Sequence, residues 1–517
     1  MMTILAVLSS TWLLPALSDV LYTYPVKSIN LAAAMEPAFY VMMDPTEQLG
    51  PVTDFHPVHG ARSSDGGYIL VGKALEAEDN PNKEAFAVAL GANGAYSWAW
   101  RSQSPGDDAA NAVVELPNGG GFLIAGFRTL GGVASRTLTK LSASGTETWT
   151  ATFGDSAGSH GAWEMISLGT NDVYLTGFSN KPDASEMSFK SYGNVAGGIA
   201  TIMKLPLIEF TTATAPTAAS ATWTKTFSSH FTSKAARELS DGKVSCLLYE
   251  ENKQASVAML DASGSVFWGP LDYHVNHPEA TDLQVASDGA SLVISGHGLP
   301  EGLNVGYYGK LSKLDAADGT RLWTKEFSAG GTPSLIFNEC WGVTALSNGD
   351  FLLACGTGIE DCTSDLSASD RADCQQGLGD KRAGALKRGA GVWQSMVIRT
   401  DSAGDLLWQR VDSFKEPESP ALAASTAEQR PSSAAEWAVE LPDGSLAIIM
   451  DEVSGIGLMK LVAPGRVVDP GSLPSTPTGQ PTVAPSKETI ANGSLSVSQV
   501  STLLVFLVNA AWIINLM

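Results

Sequence analysis

A unit of about fifty residues recurs through the chain, and repetition at a fixed period constrains a fold more tightly than composition or length can. The stretch SSDGGYILVGKALEAEDNPNKEAFAVALGANGAYSWAW is followed by LPNGGGFLIAGFRTLGGVASRTLTKLSASGTETWTATF. Each copy runs from a turn to an apolar strand ending in Gly, then an alternating strand, a small-x-Gly turn, and a strand carrying Trp. The opening turns fall at Asp65, Asn118, Asn171, Asp241, Asp288, Asn348 and Asp443, and the closing tryptophans are Trp98, Trp149, Trp223, Trp268, Trp323 and Trp408. Seven turns against six tryptophans imply six complete units and a seventh that lacks its last strand.

Asp-Gly and Asn-Gly between apolar runs are strong hairpin signals, because Gly accepts the positive φ that tight turns demand. Each unit then holds four short strands: one leading into the turn, one such as YILVG, one such as FAVAL, and the Trp strand. Four antiparallel strands repeated seven times predict an all-β chain folded as a seven-bladed β-propeller over residues 36–465. Unit seven, WAVELPDGSLAIIMDEVSGIGLMKLV, stops after three strands. A segment between Glu36 and Asp54, containing PAFYVMMD, is expected to supply the fourth and so remove the exposed edge of an open ring. Two spacings are long, Trp149 to Trp223 and Trp323 to Trp408, and mark insertions. The repeats resemble those of secreted microbial surface propellers, and LDAADGTRLW, from Leu314 to Trp323, is similar to the pyrroloquinoline-quinone-type propeller repeat. That resemblance covers roughly residues 50–465 and implies the fold. It does not choose between enzyme, assembly factor and binding protein, and the adjacent cysteine pair and Trp-rich docking segment of quinoprotein enzymes are missing from the chain.

The two ends carry a different message. Residues 1–18 hold an apolar run from Ile4 to Leu17 and a small-x-small site before Asp19, the pattern of a signal peptide, although no Lys or Arg precedes the run. Residues 466–491 contain Pro470, Pro474, Pro477, Pro481 and Pro485 among Ser and Thr. This composition favours polyproline II and reads as an extended, O-glycosylated stalk. Residues 492–517 begin with Asn492-Gly493-Ser494 and end in an uncharged apolar tail, which resembles a glycosylphosphatidylinositol attachment signal with Asn492 as the lipid-bearing residue. A single-pass membrane tail is the alternative. The expected location is the extracellular side of the plasma membrane.

Of 517 residues, 54 are acidic and 32 basic, for a formal charge of −22. Such a surface repels phosphate backbones, so nucleic acid is not an expected partner. The five cysteines suit an oxidising compartment. Cys340 and Cys355 are equidistant from the Ser347-Asn348 turn and should face each other across a hairpin. Cys362 with Cys374 would staple the insertion that follows, though other pairings of these four are formally open. Cys246, inside VSCLLY, reads as a small buried hydrophobe.

Counting back eleven residues from each opening turn gives Asp54, Asp107, His160, His230, His277, Phe337 and Ser432. Three histidines and two aspartates thus share one position, in the linker before the innermost strand. His56, His59, His274 and His297 map to the same end of the blades. One reading is that polar linkers tolerate His and that repeats copy it. The other is a ring of ligand-binding groups for a glycan, an anion or a metal ion, since imidazole and carboxylate are sound transition-metal ligands. Nucleophile elbows, P-loops and dinucleotide fingerprints are absent from the sequence. The expectation is therefore a non-catalytic cell-surface propeller that needs no cofactor and binds an extracellular protein or glycan through one face. The competing expectation is an extracellular metal-assisted or quinone-dependent enzyme using the histidine-bearing face.

Overall fold

The computed structural model describes residues 29–30, 33–43, 45–50, 54–75, 83–104, 106–154, 159–182, 197–212, 214–250, 255–273, 279–298, 307–329, 337–359, 392–412, 433–452 and 455–463. The leader, stalk and attachment signal with Asn492 lie outside the described residues, as do His277, Ser432, Cys362 and Cys374.

Seven four-stranded antiparallel sheets form the blades of a ring. After β1 (Glu36–Met43) and a single helical turn, α1 (Thr46–Leu49), blade 1 comprises β2 (Asp54–Arg62), β3 (Tyr68–Leu75), β4 (Lys83–Leu90) and β5 (Tyr96–Arg101). Blade 2 is β6 (Asp108–Glu115), β7 (Phe122–Leu130), β8 (Val133–Leu141) and β9 (Glu147–Phe153), and blade 3 is β10 (His160–Leu168), β11 (Asp172–Lys181), β12 (Ile199–Pro206) and β13 (Trp223–Phe227). Blade 4 is β14 (Thr232–Glu238), β15 (Val244–Tyr249), β16 (Ala255–Leu260) and β17 (Val266–Asp272), followed by blade 5 with β18 (Glu279–Val285), β19 (Ser291–Gly298), β20 (Tyr308–Asp315) and β21 (Arg321–Phe327). Blade 6 is β22 (Phe337–Ala345), β23 (Phe351–Ile359), β24 (Val392–Thr400) and β25 (Leu406–Asp412). Blade 7 has β26 (Ser433–Glu440), β27 (Leu446–Glu452) and β28 (Gly455–Val462), with β1 as its fourth and outermost strand.

The closing strand is the one expected from the unit count. β1 runs antiparallel to β28 from Glu36 opposite Val462 to Met43 opposite Ile456. Ahead of it the chain is already fixed to blade 6: Ile29 bridges Gln409, and Arg410 donates a guanidinium N–H to the Met35 carbonyl at 2.8 Å.

The second and third strands are buried on both faces because each blade is sandwiched between two others, so YILVG, FLIAG and VSCLLY are continuous apolar runs rather than alternating ones. Cys246 is such a residue: it is fully buried, and burial pushes its thiol pKa up. Cys340 and Cys355 oppose each other in the β22–β23 ladder and form a disulfide.

The repeat tryptophans serve the ring. From the outermost strand, Trp98, Trp223 and Trp268 each donate the indole N–H to a carbonyl in the outer hairpin of the next blade, at Ala143, Ala262 and Ala316 respectively. Their rings lie over the glycine of that hairpin. A Cβ on Gly264 would sit 2.8 Å from the Trp223 ring, and one on Gly404 would sit 2.7 Å from Trp323. Three junctions vary the theme. Blade 7 has no outer hairpin to receive Trp408, because its fourth strand is β1. Trp149 stacks on Phe210 of the blade 3 insertion, with centroids 6.3 Å apart, and where the outermost strand of blade 7 carries no Trp, Val41 and Phe39 of β1 cover Gly94.

Candidate functional site

The two ends of the ring are unlike. At one end the strand connections are short and stamped by the repeat: 63–67, 116–121, 169–171, 239–243, 286–290, 346–350 and 441–445 join first to second strands. Asp65, Asp241, Asp288, Asn348 and Asp443 close these turns by accepting backbone N–H bonds two residues on, the Asx geometry that makes Asp and Asn turn formers. Last-turn glutamates of the inner strands clasp the preceding blade here. Glu115 accepts from Ser64, Glu238 from the Thr170 N–H, and Glu440 from Ser347. Acidity at this end is used in holding blades together. The long insertion 207–222 in blade 3 is the exception.

At the other end the connections differ widely in length. Between second and third strands they include 76–82, 182–198, 299–307 and 360–391, and between blades they include 328–336 and 413–432. Among the described residues, His56, His59, His160, His230 and His297 lie toward this end of the blades. Among the equivalent positions, Phe337 stacks on Tyr307, and the polar members of the set with described side chains bond within their own neighbourhoods. The Asp107 carboxylate accepts the Lys83 N–H at 3.0 Å, and His160 Nδ1 accepts the Ala134 N–H at 3.0 Å, so both tie a linker to the start of a third strand. His230 sits 2.7 Å from Ser256 Oγ through Nε2 and 3.0 Å from Ser229 Oγ through Nδ1, with Glu250 at 3.0 Å. Burial lowers its pKa. Asp54 opens β2, paired with Leu75. Asp107, His160 and His230 thus stand at three different blade junctions, each latched to a local partner.

A second series, not singled out from the sequence, lies deeper. Every innermost strand carries a one-residue bulge at the same level: Val58, Asn111, Glu164, Lys234, Thr281, Trp341 and Glu436. Bulges sharpen twist and re-aim side chains where strands crowd an axis. Asn111 donates to the Trp163 carbonyl of the next blade at 2.7 Å and Thr281 to the Cys340 carbonyl at 2.9 Å. Glu164 and Lys234 form a buried ion pair at 3.5 Å between blades 3 and 4. Desolvation lowers the Lys234 pKa, and Glu164 opposes that shift. Counting back seven residues from each opening turn, rather than eleven, finds the whole series.

Two histidine clusters stand near this level. His297 Nε2 lies 2.8 Å from Glu279 Oε2. Burial alone would depress its pKa, but the carboxylates of Glu339 and Glu279 outweigh burial and raise it. At the junction of blades 7 and 1, the His59 ring packs at a tilt against Trp437, with centroids 4.1 Å apart, and accepts the Val113 N–H at 3.3 Å. Beside it, His56 Nδ1 lies 3.4 Å from Asp451. Among the described residues, His56, Glu436 and Asp451 are the one set of three such ligands whose donor atoms all lie within 4.8 Å of one another.

No family model matches the chain, and no curated protein does. Solved structures with a similar backbone include hydrazine synthase of Kuenenia stuttgartiensis (TM-score 0.42, 10% identity, covering 79% of this chain and 96% of that one). Sqt1 of Saccharomyces cerevisiae gives a TM-score of 0.39 at 9% identity, over 83% of this chain and all of its own. A 6-phosphogluconolactonase-like protein of Bacteroides fragilis gives 0.35 at 14% identity, over 60% and 82%. At such scores and identities these proteins say nothing of what this chain binds or catalyses. The chain is a seven-bladed β-propeller, and its function must be argued from its own faces.

Proposed function

We propose that this chain is a non-catalytic cell-surface propeller that binds an extracellular protein or glycan through the end of the ring where the long connections emerge. The observation that supports this reading most directly is the inequality of the two ends. Short turns of three to six residues join the first two strands of every blade at one end, where 207–222 is the one long connection, while connections as different as 131–132 and 360–391 leave the other. Rigid scaffolds place recognition on such variable connections. The disulfide Cys340–Cys355 pins the hairpin from which the longest of them departs. The polar groups that sequence alone suggested as a ligand ring are engaged locally at Asp107, His160 and His230, which fits a scaffold role beneath the recognition surface. Secretion, the stalk and the lipid signal at Asn492 complete the proposal by holding that surface clear of the membrane.

Cells displaying the full chain are the material for the test. Phosphatidylinositol-specific phospholipase C should release the protein from them. Released protein is applied to a glycan array and to fixed cells, alongside variants in which 360–391 or 413–432 is replaced by a five-residue Gly/Ser turn. Loss of binding by more than about tenfold, with the melting transition kept, is expected for at least one exchange. Binding that survives both exchanges but falls when the 207–222 insertion is shortened would place recognition at the opposite end and overturn the reading.

A further inference from the structure

We propose that His56, Glu436 and Asp451 form a divalent-cation site at the seam where the last blade meets the first. It stands independently of the binding-face reading.

The three donors come from three different strands: His56 from β2 of blade 1, Glu436 from the bulge of β26, and Asp451 from β27. All three lie within strands, which hold side chains more rigidly than loops do, as a preformed site requires. Their donor atoms lie within 4.8 Å of one another. With metal–donor distances of about 2.0–2.2 Å, ligands of one ion sit within about 4.4 Å of each other, so small side-chain adjustments complete the set. Glu436 is buried, while His56 and Asp451 are partly accessible, which gives the site a wall and an entrance.

Charge points the same way. At the bulge level the blade 3 carboxylate, Glu164, meets a fixed cation from the next blade, Lys234. In blade 7 the equivalent carboxylate is Glu436, but the bulge residue of the next blade is Val58, which has no charge. A second carboxylate, Asp451, is added instead, and the neighbouring base is an imidazole. Two carboxylates so close together, one of them buried, disfavour each other's ionisation, and a divalent ion bound between them would offset that repulsion. One nitrogen and two carboxylate oxygens suit Zn²⁺ or Mn²⁺, whereas Ca²⁺ wants six to eight oxygens. An ion here would tie blade 7 to blade 1 on the inner side of the ring, at the seam that β1 completes on the outer side.

Purified full-length protein is stripped with chelator, dialysed, and titrated separately with Zn²⁺, Mn²⁺ and Ca²⁺, reading bound metal by mass spectrometry and stability by thermal melting. The expected result is one equivalent of Zn²⁺ or Mn²⁺, with a melting temperature that climbs with metal concentration. The Glu436→Gln/Asp451→Asn double variant should lose more than about tenfold in affinity, and His160→Ala/His230→Ala should bind as the parent does. Should the double variant fail to fold, Asp451→Asn alone, at a partly exposed ligand, is read in the same way. The proposal is overturned if neither Zn²⁺ nor Mn²⁺ binds at about millimolar concentration, if Ca²⁺ binds more tightly than both, or if the Glu436 and Asp451 substitutions leave affinity unchanged.

Discussion

His297 is nearly sealed from solvent yet holds its proton more firmly than a free imidazole, because Glu339 and Glu279 together overcome the cost of burying the charge. A histidine whose pKa is raised from 6.5 on folding takes up a proton as the chain folds. The stability it contributes is therefore fully present below about pH 6.5 and is lost as pH rises through the raised value. His230 works in the opposite sense. Its pKa is lowered, chiefly by burial, so its penalty appears as pH falls below the ordinary range. Comparing the parent with His297→Gln cancels the His230 effect, which both proteins share. The gap in melting temperature between them should be widest near about pH 5.5 and close toward about pH 8.5. A gap that stays constant across that range would mean the His297 pKa does not change on folding, and one that shrinks toward low pH would mean burial wins over the carboxylates.

At the scale of strands and hairpins, the junction between blades is an indole laid over a glycine. Gly264 has φ near +83°, and its missing side chain is the space Trp223 occupies. Gly264→Ala meets both objections together and should destabilise by about 1–3 kcal/mol, read as an earlier denaturation midpoint with an unchanged slope. Ala262→Gly, two residues away in the same turn, offers its carbonyl to the indole through the backbone and should cost far less. Much at this scale was legible in the sequence. The turns from Asp65 to Asp443, the six tryptophan strands and the pairing of Cys340 with Cys355 follow from local spacing, because hairpin partners are close along the chain. What escaped was set between blades. The bulges at Glu164, Lys234 and Glu436 are single-residue slips in register that leave no mark on composition. The approach of His56 to Glu436 and Asp451 joins positions nearly four hundred residues apart, which spacing within one repeat cannot reveal. The eleven-residue count did locate Asp107, His160 and His230 at one end of the blades, but it could not foresee that each would bond locally.

For the whole molecule, closure is the decisive event, since seven repeats of this kind could stack as an open array but here form a ring. The ring is sealed by eight residues, Glu36–Met43, laid along β28. Their removal would expose the edge of blade 7 and uncover Gly94, which Val41 and Phe39 shield. Deleting 36–43 should lower the melting temperature by at least about 10 °C or abolish a single cooperative transition, whereas deleting 466–491 should shift it by no more than about 1 °C. Equal effects of the two deletions would contradict a sealed ring. The same seam puts a clock on biosynthesis. The strand that completes the last blade is made first, and its partner, Gly455–Val462, is the last to emerge of all the described strands. At about 5–20 residues per second, β1 must wait on the order of 20–80 s for β28 to be synthesised. Throughout that interval an unpaired strand edge and a half-built circle face the crowded lumen or cytosol. No amount of speed in folding the individual blades can shorten it, because the wait is set by synthesis and not by folding.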